Sequence, residues 1–527
     1  MAGAWRRHLA PGVDLQRALA GLTRGSLPEA LAAAAAGAPG RPALEIDGEA
    51  VSRGELDRRA ARIGGWLRAR GIRPGERVLI SSPSSVRLVA CYLGVLRAGA
   101  VAVLASPALT APELRHLVRD AAARAAFVSE APRHALGEVA ADTPSLETVV
   151  PIGDGDGDLG DGGHGYLDVL EGGEPLAARP LDPDAPALLA YTSGTTGTPK
   201  GVPLTHANLL ASIRAAMLAW RWSADDALVH ALPLAHQHGL GGLHAALLSG
   251  ARVVLLSRFE PRRLAALAAA TRATVLFAVP TMYERLLTVP EAELAPLRGL
   301  RLAVSGSAPL EAELATRVGS VLGQPPLERY GTTESGLDVS NLYSARRPGA
   351  VGFALPGVEL RIADRHGETL ADGRDGEVLV RGPQVFSGYL GMPEATAEAF
   401  HQGGWFRTGD VGRIDSDAGH LVLSGRIKEV IITGGLNVYP REVEQALEQH
   451  PSVAEAGVAG LPSERWGEQV TAWVVPAPGA TIEVADLLAH ARARLAPYKC
   501  PKQVLVVAGL PRNSMGKLMR RKLTGLP

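Results

Sequence analysis

Residues 185–217 read APALLAYTSGTTGTPKGVPLTHANLLASIRAAM, and the folding of this stretch decides the architecture around it. The apolar run APALLAY has the pattern of a buried strand. A loop of small hydroxylated residues, glycines and one lysine follows, a composition suited to wrapping phosphates. The Walker frame G-x-x-x-x-G-K-[ST] fails twice, because Pro199 precedes Lys200 and Gly201 follows it. Pro203 forbids a helix directly after the lysine, and Thr205 is a fitting N-cap for one that starts later. The loop therefore joins a strand to a second strand-like segment. Its hydroxyls are those of Thr192, Ser193, Thr195, Thr196 and Thr198, and Gly194 and Gly197 free its backbone.

Outward from this loop the chain alternates. ELDRRAARIGGWLRARG places Leu56, Ala60, Ile63 and Leu67 on one helical face and stops at Gly71. RVLIS, AVAVLA and AAFVS are short apolar runs of the kind that fill a parallel sheet, and helical segments separate them. This alternation is the α/β signature. The Gly- and Asp-rich PIGDGDGDLGDGGHGYLDVLEGGEP interrupts it. As a calcium loop it fails, since Leu159 sits where the turn needs Gly and Gly165 where Glu belongs. It reads as a solvated connector. From about residue 350 the pattern turns to short strands, and a small α+β unit closes the chain. The expected organisation is a large N-terminal domain over 1–425, made of α/β subdomains and a β-rich subdomain. A hinge at 426–428 and a small mobile α+β domain over 429–527 follow.

Composition narrows the function. A chain of 527 residues is too long for one ordinary core. Its 54 basic and 54 acidic residues leave no footprint for nucleic acid or an anionic membrane. Cys91 and Cys500 are too few and too far apart for a disulfide framework or a zinc site. The N-terminal segment lacks an apolar signal core, being interrupted by Pro11, Asp14 and Arg17, and it reads as a surface helix. The Ala-rich EALAAAAAGAPG falls short of a membrane span. A cytoplasmic enzyme is expected. His236 and His238 in LAHQHGL invite a metal, but no third ligand follows at a suitable spacing.

Six strings occur in order: YTSGTTGTPKG, LAHQHGLGG, ERYGTTES, WFRTGD, GRIKEVIITGGLNVYPREVE and PRNSMGK. Together they resemble the acyl-adenylate-forming enzymes, over roughly residues 42 to 522. That resemblance implies ATP and Mg²⁺ as cofactors and CoA as co-substrate. ATP activates a carboxylic acid as acyl-AMP with release of pyrophosphate, and a thiol then displaces AMP. An adenylating enzyme that loads a carrier protein would share every ATP motif, so a carrier protein stays open as acceptor.

The resemblance also gives each string a role. Thr192, Ser193, Gly194, Thr195, Thr196, Gly197 and Lys200 would hold the β- and γ-phosphates. Tyr330 would stack on adenine, with Thr333 beside the nucleotide. Glu334 would be the Mg²⁺ ligand, a hard oxygen donor suited to that ion. Asp410 and Arg426 would bind the ribose hydroxyls. Lys517 would be the adenylation lysine, and Lys428 the hinge about which the small domain swings. Gly434 and Gly435 would line the pantetheine tunnel. His236 would gate the acyl pocket, with Gly306 and Ser307 at its wall.

Within the family the strings most resemble the malonyl-CoA synthetases. In that group the arginine of P-T-x-Y-x-R, here Arg285, binds the distal carboxylate of malonate, a role suited to its fork of donors. One stretch departs from the group: after Glu334 the chain reads SGLDVSN, and Asp338 would repel a dianion unless it points away or pairs with Arg285.

Overall fold

The strand expected from APALLAY spans Pro186–Thr192 and pairs antiparallel with Lys200–Thr205, setting Thr192 opposite Lys200. These two strands end a six-stranded sheet whose other members run parallel: Thr148–Pro151, Ala125–Val128, Arg77–Ser81 and Val101–Ala105, in that spatial order. The structure, a computed structural model, describes residues 5–6, 8–153, 164–192, 199–433, 436–463, 465–513 and 516–526. Ser193, Gly194, Thr195, Thr196, Gly197 and Thr198, and also Gly434 and Gly435, lie outside the described residues.

Two compact units divide the chain. The first comprises Met1–Glu359 and Arg381–Phe400, the second Leu360–Val380 and His401–Pro527. The second unit thus gathers part of the β-rich segment with everything after it, and the expected hinge at 426–428 falls within it.

In the first unit a nine-stranded sheet accompanies the six-stranded one. Its parallel centre runs Leu327–Tyr330, Leu302–Ser305, Val275–Ala278, Ala227–His230, Arg252–Leu255 and Pro42–Ile46. The helix Arg53–Ala69 buries the face expected of it, with Leu56, Ala60, Ile63 and Leu67 out of solvent. Ser52 caps its start by accepting from Glu55 N. Thr205 does the same for the helix His206–Ala219, accepting from Asn208 N at 3.0 Å. The connector reading is corrected at its end, where Tyr166–Gly172 is a helix that buries Tyr166 and Val169, and residues 154–163 lie outside the described residues. Asp168 accepts from Gly165 N at 2.8 Å to start it, a local cap hidden by the surrounding glycines. The N-terminal segment is anchored: Trp5 is 1% exposed, and its indole N–H donates to the Ala354 carbonyl at 2.6 Å.

In the second unit an antiparallel sheet includes Trp405–Ile414 paired with Leu421–Arg426. A second sheet is built on the long hairpin Val453–Ser463 and Gly467–Pro476, with Gln503–Val506 added in parallel. The helices Pro440–Glu448 and Val484–Arg492 bury Val443, Leu447 and Leu487 in its core. Cys91 and Cys500 are both free and buried. Among the described residues no helix is long and apolar enough to cross a membrane.

Three histidines are folded into the first unit as neutral rings. Burial pushes His206 down to about 4, and His230 and His244 down to about 3. As pH falls below about 6.5 the unfolded chain takes up protons that the folded one refuses, so stability falls with pH. At pH 5 each ring costs about 2 kcal/mol relative to pH 8. Urea unfolding of the first unit should therefore shift to lower midpoints between pH 7.5 and 5, with His244→Gln flattening the slope by about one proton. A flat profile over that range would show that these rings titrate normally.

Candidate active site

The ends of the phosphate-type loop are held by the helix Ala111–Ala121. Tyr191 donates its hydroxyl to Asp120 at 2.7 Å on one side, and His116 Nε2 donates to the Pro199 carbonyl at 3.1 Å on the other. Lys200 begins the return strand, its Nζ 4.7 Å from the centre of the Tyr389 ring. The hydroxyl of Tyr389 donates to Glu334 Oε1 at 3.0 Å. Lys200 and Glu334 are thus brought to one aromatic ring that sequence reasoning did not single out. Burial, then the charge of Glu334, push the phenol pKa up, so Tyr389 remains a donor.

Glu334 follows the strand Leu327–Tyr330, in which Tyr330 is buried. The Thr333 carbonyl accepts from Gln237 Nε2 at 3.1 Å, tying this turn to the helix Gln237–Ser249. His236 is the N-cap residue of that helix, partly buried, and burial lowers its pKa. Two residues on, His238 is 3% exposed and held well below its usual range, by burial first and then by Arg329 and His230. Its Nδ1 lies 3.4 Å from Ser307 Oγ, and its Nε2 is buried without a partner among the described residues.

A cavity with about 550 Å³ of empty space, part of it open to solvent, lies against these groups. Trp220, Phe277 and Leu240 line it on the apolar side, with His238, His244 and Arg329 as polar members. Gly242 lets Phe277 close on the helix, since a Cβ there would sit 3.0 Å from the ring. Gly306 does the same for Arg329, whose Nε would be 2.4 Å from an added Cβ. Burial pushes Arg329 down to about 10, with the charge of Asp338 opposing.

The placement of Arg285 differs from expectation. It lies in the last turn of the helix Pro280–Leu286, is exposed, and stacks its guanidinium over Phe259 at 4.7 Å. The cavity cation is Arg329, the middle residue of ERY. Two adjacent charged residues, Glu328 and Arg329, inside a strand of the parallel sheet were the signal that could have found it. Asp338 does not pair with Arg285 either. It is 0% exposed, bonded by Ser335 and by Gln384 Nε2, the latter at 3.0 Å.

In the second unit Asp410 and Arg426 stand opposite each other on neighbouring strands and pair, Nε to Oδ1, at 2.9 Å. Lys517 is partly buried. Burial and Arg426 lower its pKa, while Asp410 and Glu429 oppose. The expected ribose pair and adenylation lysine are therefore neighbours within this unit. Lys428 lies exposed in the 3₁₀ turn Ile427–Glu429. Three residues after Lys517, Arg520 donates to Glu429 at 2.9 Å and forks onto Glu444. Glu444, 1% exposed, also accepts from Val458 N at 2.8 Å. This clamp fastens the tail that carries Lys517 and was hidden in a run of basic residues.

Among the described residues no group of three or more His, Cys, Asp or Glu could hold a metal by itself. One carboxylate, with nucleotide phosphates completing the shell, is nevertheless a usual way to hold Mg²⁺, and Glu334 fits it.

Comparison with known proteins gives the family. The model of the AMP-binding enzyme family matches residues 31–390, and that of the AMP-binding enzyme C-terminal domain matches 442–517. A feruloyl-CoA synthase of Amycolatopsis sp is 37% identical over 492 residues, 92% of this chain and 95% of that one. The mitochondrial malonate–CoA ligase of Mus musculus is 39% identical over 375 residues, 64% of each chain. The crystal structure of ATP-bound MatB from Rhodopseudomonas palustris superposes with a TM-score of 0.87 at 38% identity, covering 94% of this chain and 98% of that one. The chain belongs to the AMP-binding enzyme family. Within it the chain is an AMP-forming acyl-CoA synthetase near the malonyl-CoA synthetases, joining a carboxylic acid to CoA through an acyl-adenylate.

Arg520→Ala would leave the Glu444 carboxylate buried beside a weaker set of partners, a loss of about 3 kcal/mol. Amide hydrogen exchange should speed up in Pro440–Glu448 and in the tail after Lys517. Unchanged exchange in both segments would mean that the clamp contributes nothing.

Proposed function

We propose that the acid is malonate or a short substituted malonate, whose distal carboxylate is bound by Arg329. The observation that carries this reading is a cation, sunk by burial and seated against Gly306, on the wall of a mostly apolar cavity. A guanidinium there offers forked, charge-assisted bonds to a carboxylate. The neutral His238 and Ser307 beside it add polar contacts without competing positive charge. Ser335 and Gln384 Nε2 hold the Asp338 carboxylate, and its charge faces the Arg329 cation, which counts against simple repulsion of a dianion. Relatives named for malonate and for feruloyl-CoA are both similar to this chain, so the cavity cation decides between them in this reading. The apolar wall of Trp220, Phe277 and Leu240 favours a second reading, a monocarboxylate with an aromatic or short aliphatic tail.

Residue roles follow the motif strings. Thr192 and Lys200 flank the loop that holds the β- and γ-phosphates, and Glu334 would hold Mg²⁺, whose charge offsets that of the phosphates. Tyr330 and Thr333 attend the adenine. Asp410 accepts from the ribose hydroxyls and Arg426 donates to them. Lys517 directs its cation at the charge developing between carboxylate and α-phosphate. His236 gates the acyl pocket, and Lys428 is the hinge between the two half-reactions, the part that precedes it being the domain over 1–425.

A panel of acids with ATP, Mg²⁺ and CoA, read by pyrophosphate, AMP and thioester, tests the substrate. Malonate should exceed acetate, propionate and butyrate in kcat/KM. Arg329→Leu should lower malonate use roughly 100-fold, the worth of charged hydrogen bonds of about 1.5–3 kcal/mol, and raise use of monoacids. Arg285→Leu, being exposed, should change it less than about tenfold. Preference for an aromatic acid, unaltered by Arg329→Leu, would establish the second reading instead.

The lysine is tested by separating the half-reactions. Lys517→Ala should slow acyl-adenylate formation about 10²- to 10³-fold and spare thioester formation from supplied acyl-AMP. Equal loss of both would refute a role confined to adenylation.

A further inference from the structure

Lys200 and Glu334 carry opposite charges and are close enough to share one side chain, yet among the described residues they form no ion pair with each other. What lies between them is Tyr389. The segment that carries it is strapped at one end to the backbone of Glu334 and at the other to that of the residue after Lys200. Phe386 N donates to the Glu334 carbonyl at 2.8 Å, and Leu390 N donates to the carbonyl of Gly201, next to Lys200, at 2.9 Å. Between these straps, Tyr389 N donates to Thr396 Oγ1 at 2.9 Å, and that hydroxyl donates to the Met392 carbonyl at 2.8 Å. Gly388 has φ +152°, and a Cβ there would collide with Thr396, 2.4 Å away. Phe386 supports the ring edge-on with centroids 4.9 Å apart. The position of the phenol is thus fixed by backbone and packing, independently of the two charges it touches.

A direct Lys200–Glu334 pair would neutralise both groups, and a phosphate and its cation would have to break it. The interposed ring changes that balance. A cation over an aromatic face at this exposure is held weakly and is released readily to a phosphate. A neutral hydroxyl donor on Oε1 orients the carboxylate while leaving its charge intact.

We propose that Tyr389 is a positioning residue for the adenylation half-reaction, holding Lys200 with its ring and Glu334 with its hydroxyl so that both charges are surrendered to the nucleotide phosphates and Mg²⁺ and not to each other. This rests on the roles given above to Lys200 and Glu334. It separates the two functions of one side chain: the hydroxyl governs the cation, the ring governs the phosphates.

The test uses the full-length enzyme and acid-dependent pyrophosphate exchange, with Mg²⁺ and ATP titrated separately. Tyr389→Phe keeps the ring and should raise the Mg²⁺ concentration for half-maximal rate about tenfold, with the KM for ATP changed less than about twofold. Tyr389→Leu should in addition raise the KM for ATP roughly three- to tenfold. Thioester formation from supplied acyl-AMP should be unaffected in both, which a damaged fold would not allow. In a Glu334→Gln background, Tyr389→Phe should shift the Mg²⁺ dependence no further. The proposal is overturned if both Tyr389 variants titrate like the wild type while Lys200→Ala and Glu334→Ala are impaired. It is equally overturned if the effect of Tyr389→Phe persists undiminished beside Glu334→Gln. If Lys200→Ala and Glu334→Ala themselves leave both titrations unchanged, the reading of the phosphate site fails and the proposal falls with it.

Discussion

Thr192 and Lys200 face each other across the last antiparallel step of a sheet that is otherwise parallel, and the loop that joins them is anchored on both sides by one helix. That pairing is the constraint from which the proposed nucleotide end of the first unit follows. Had Lys200 opened a helix, its ammonium would ride on a helix N-terminus in the manner of a Walker loop. Because it opens a strand, its side chain projects from a fixed pleat, and the neighbouring Gly201 carbonyl is free to bind the segment bearing Tyr389. One ladder therefore orients the lysine, the aromatic ring and, through that ring, the Glu334 carboxylate.

The acyl end rests on a different balance. Polar groups line the cavity, and burial sorts their charges: the histidines are held neutral, while Arg329, pushed down only to about 10, stays cationic at neutral pH. A cavity that shed polarity altogether would accept any tail of the right size. One that kept full charges would collapse into ion pairs. Asp338 shows how this is managed, since its carboxylate is occupied by Ser335 and Gln384 and offsets Arg329 without quenching it.

Most of the fold was legible because its signals are local. Apolar runs of strand length, the cap at Thr205 and the 3.6-residue face of Arg53–Ala69 each specify their element within a few residues. The order of the motif strings named the family for the same reason. The misses are long-range. Tyr389 acquires meaning only when 55 residues of intervening chain return it to Glu334. Arg329 was passed over beside the recognisable Tyr330, although an arginine within a buried strand is itself anomalous. The role expected of Arg285 came from its string alone, and its exposure is a property of the surrounding helices that no string contains. The helix at Tyr166 was lost because glycine-rich flanks masked a short cap.

The anchoring of Trp5 has a consequence for biogenesis. Its indole donates to the carbonyl of Ala354, 349 residues later in the chain. At translation rates of about 5–20 residues per second, roughly 20 to 70 s separate the synthesis of the two partners. Throughout that interval the nascent chain carries an indole N–H whose acceptor does not yet exist. The hydrogen bond that anchors Trp5 thus forms only after 349 further residues have been made, and that contact of the first unit is timed by its far end.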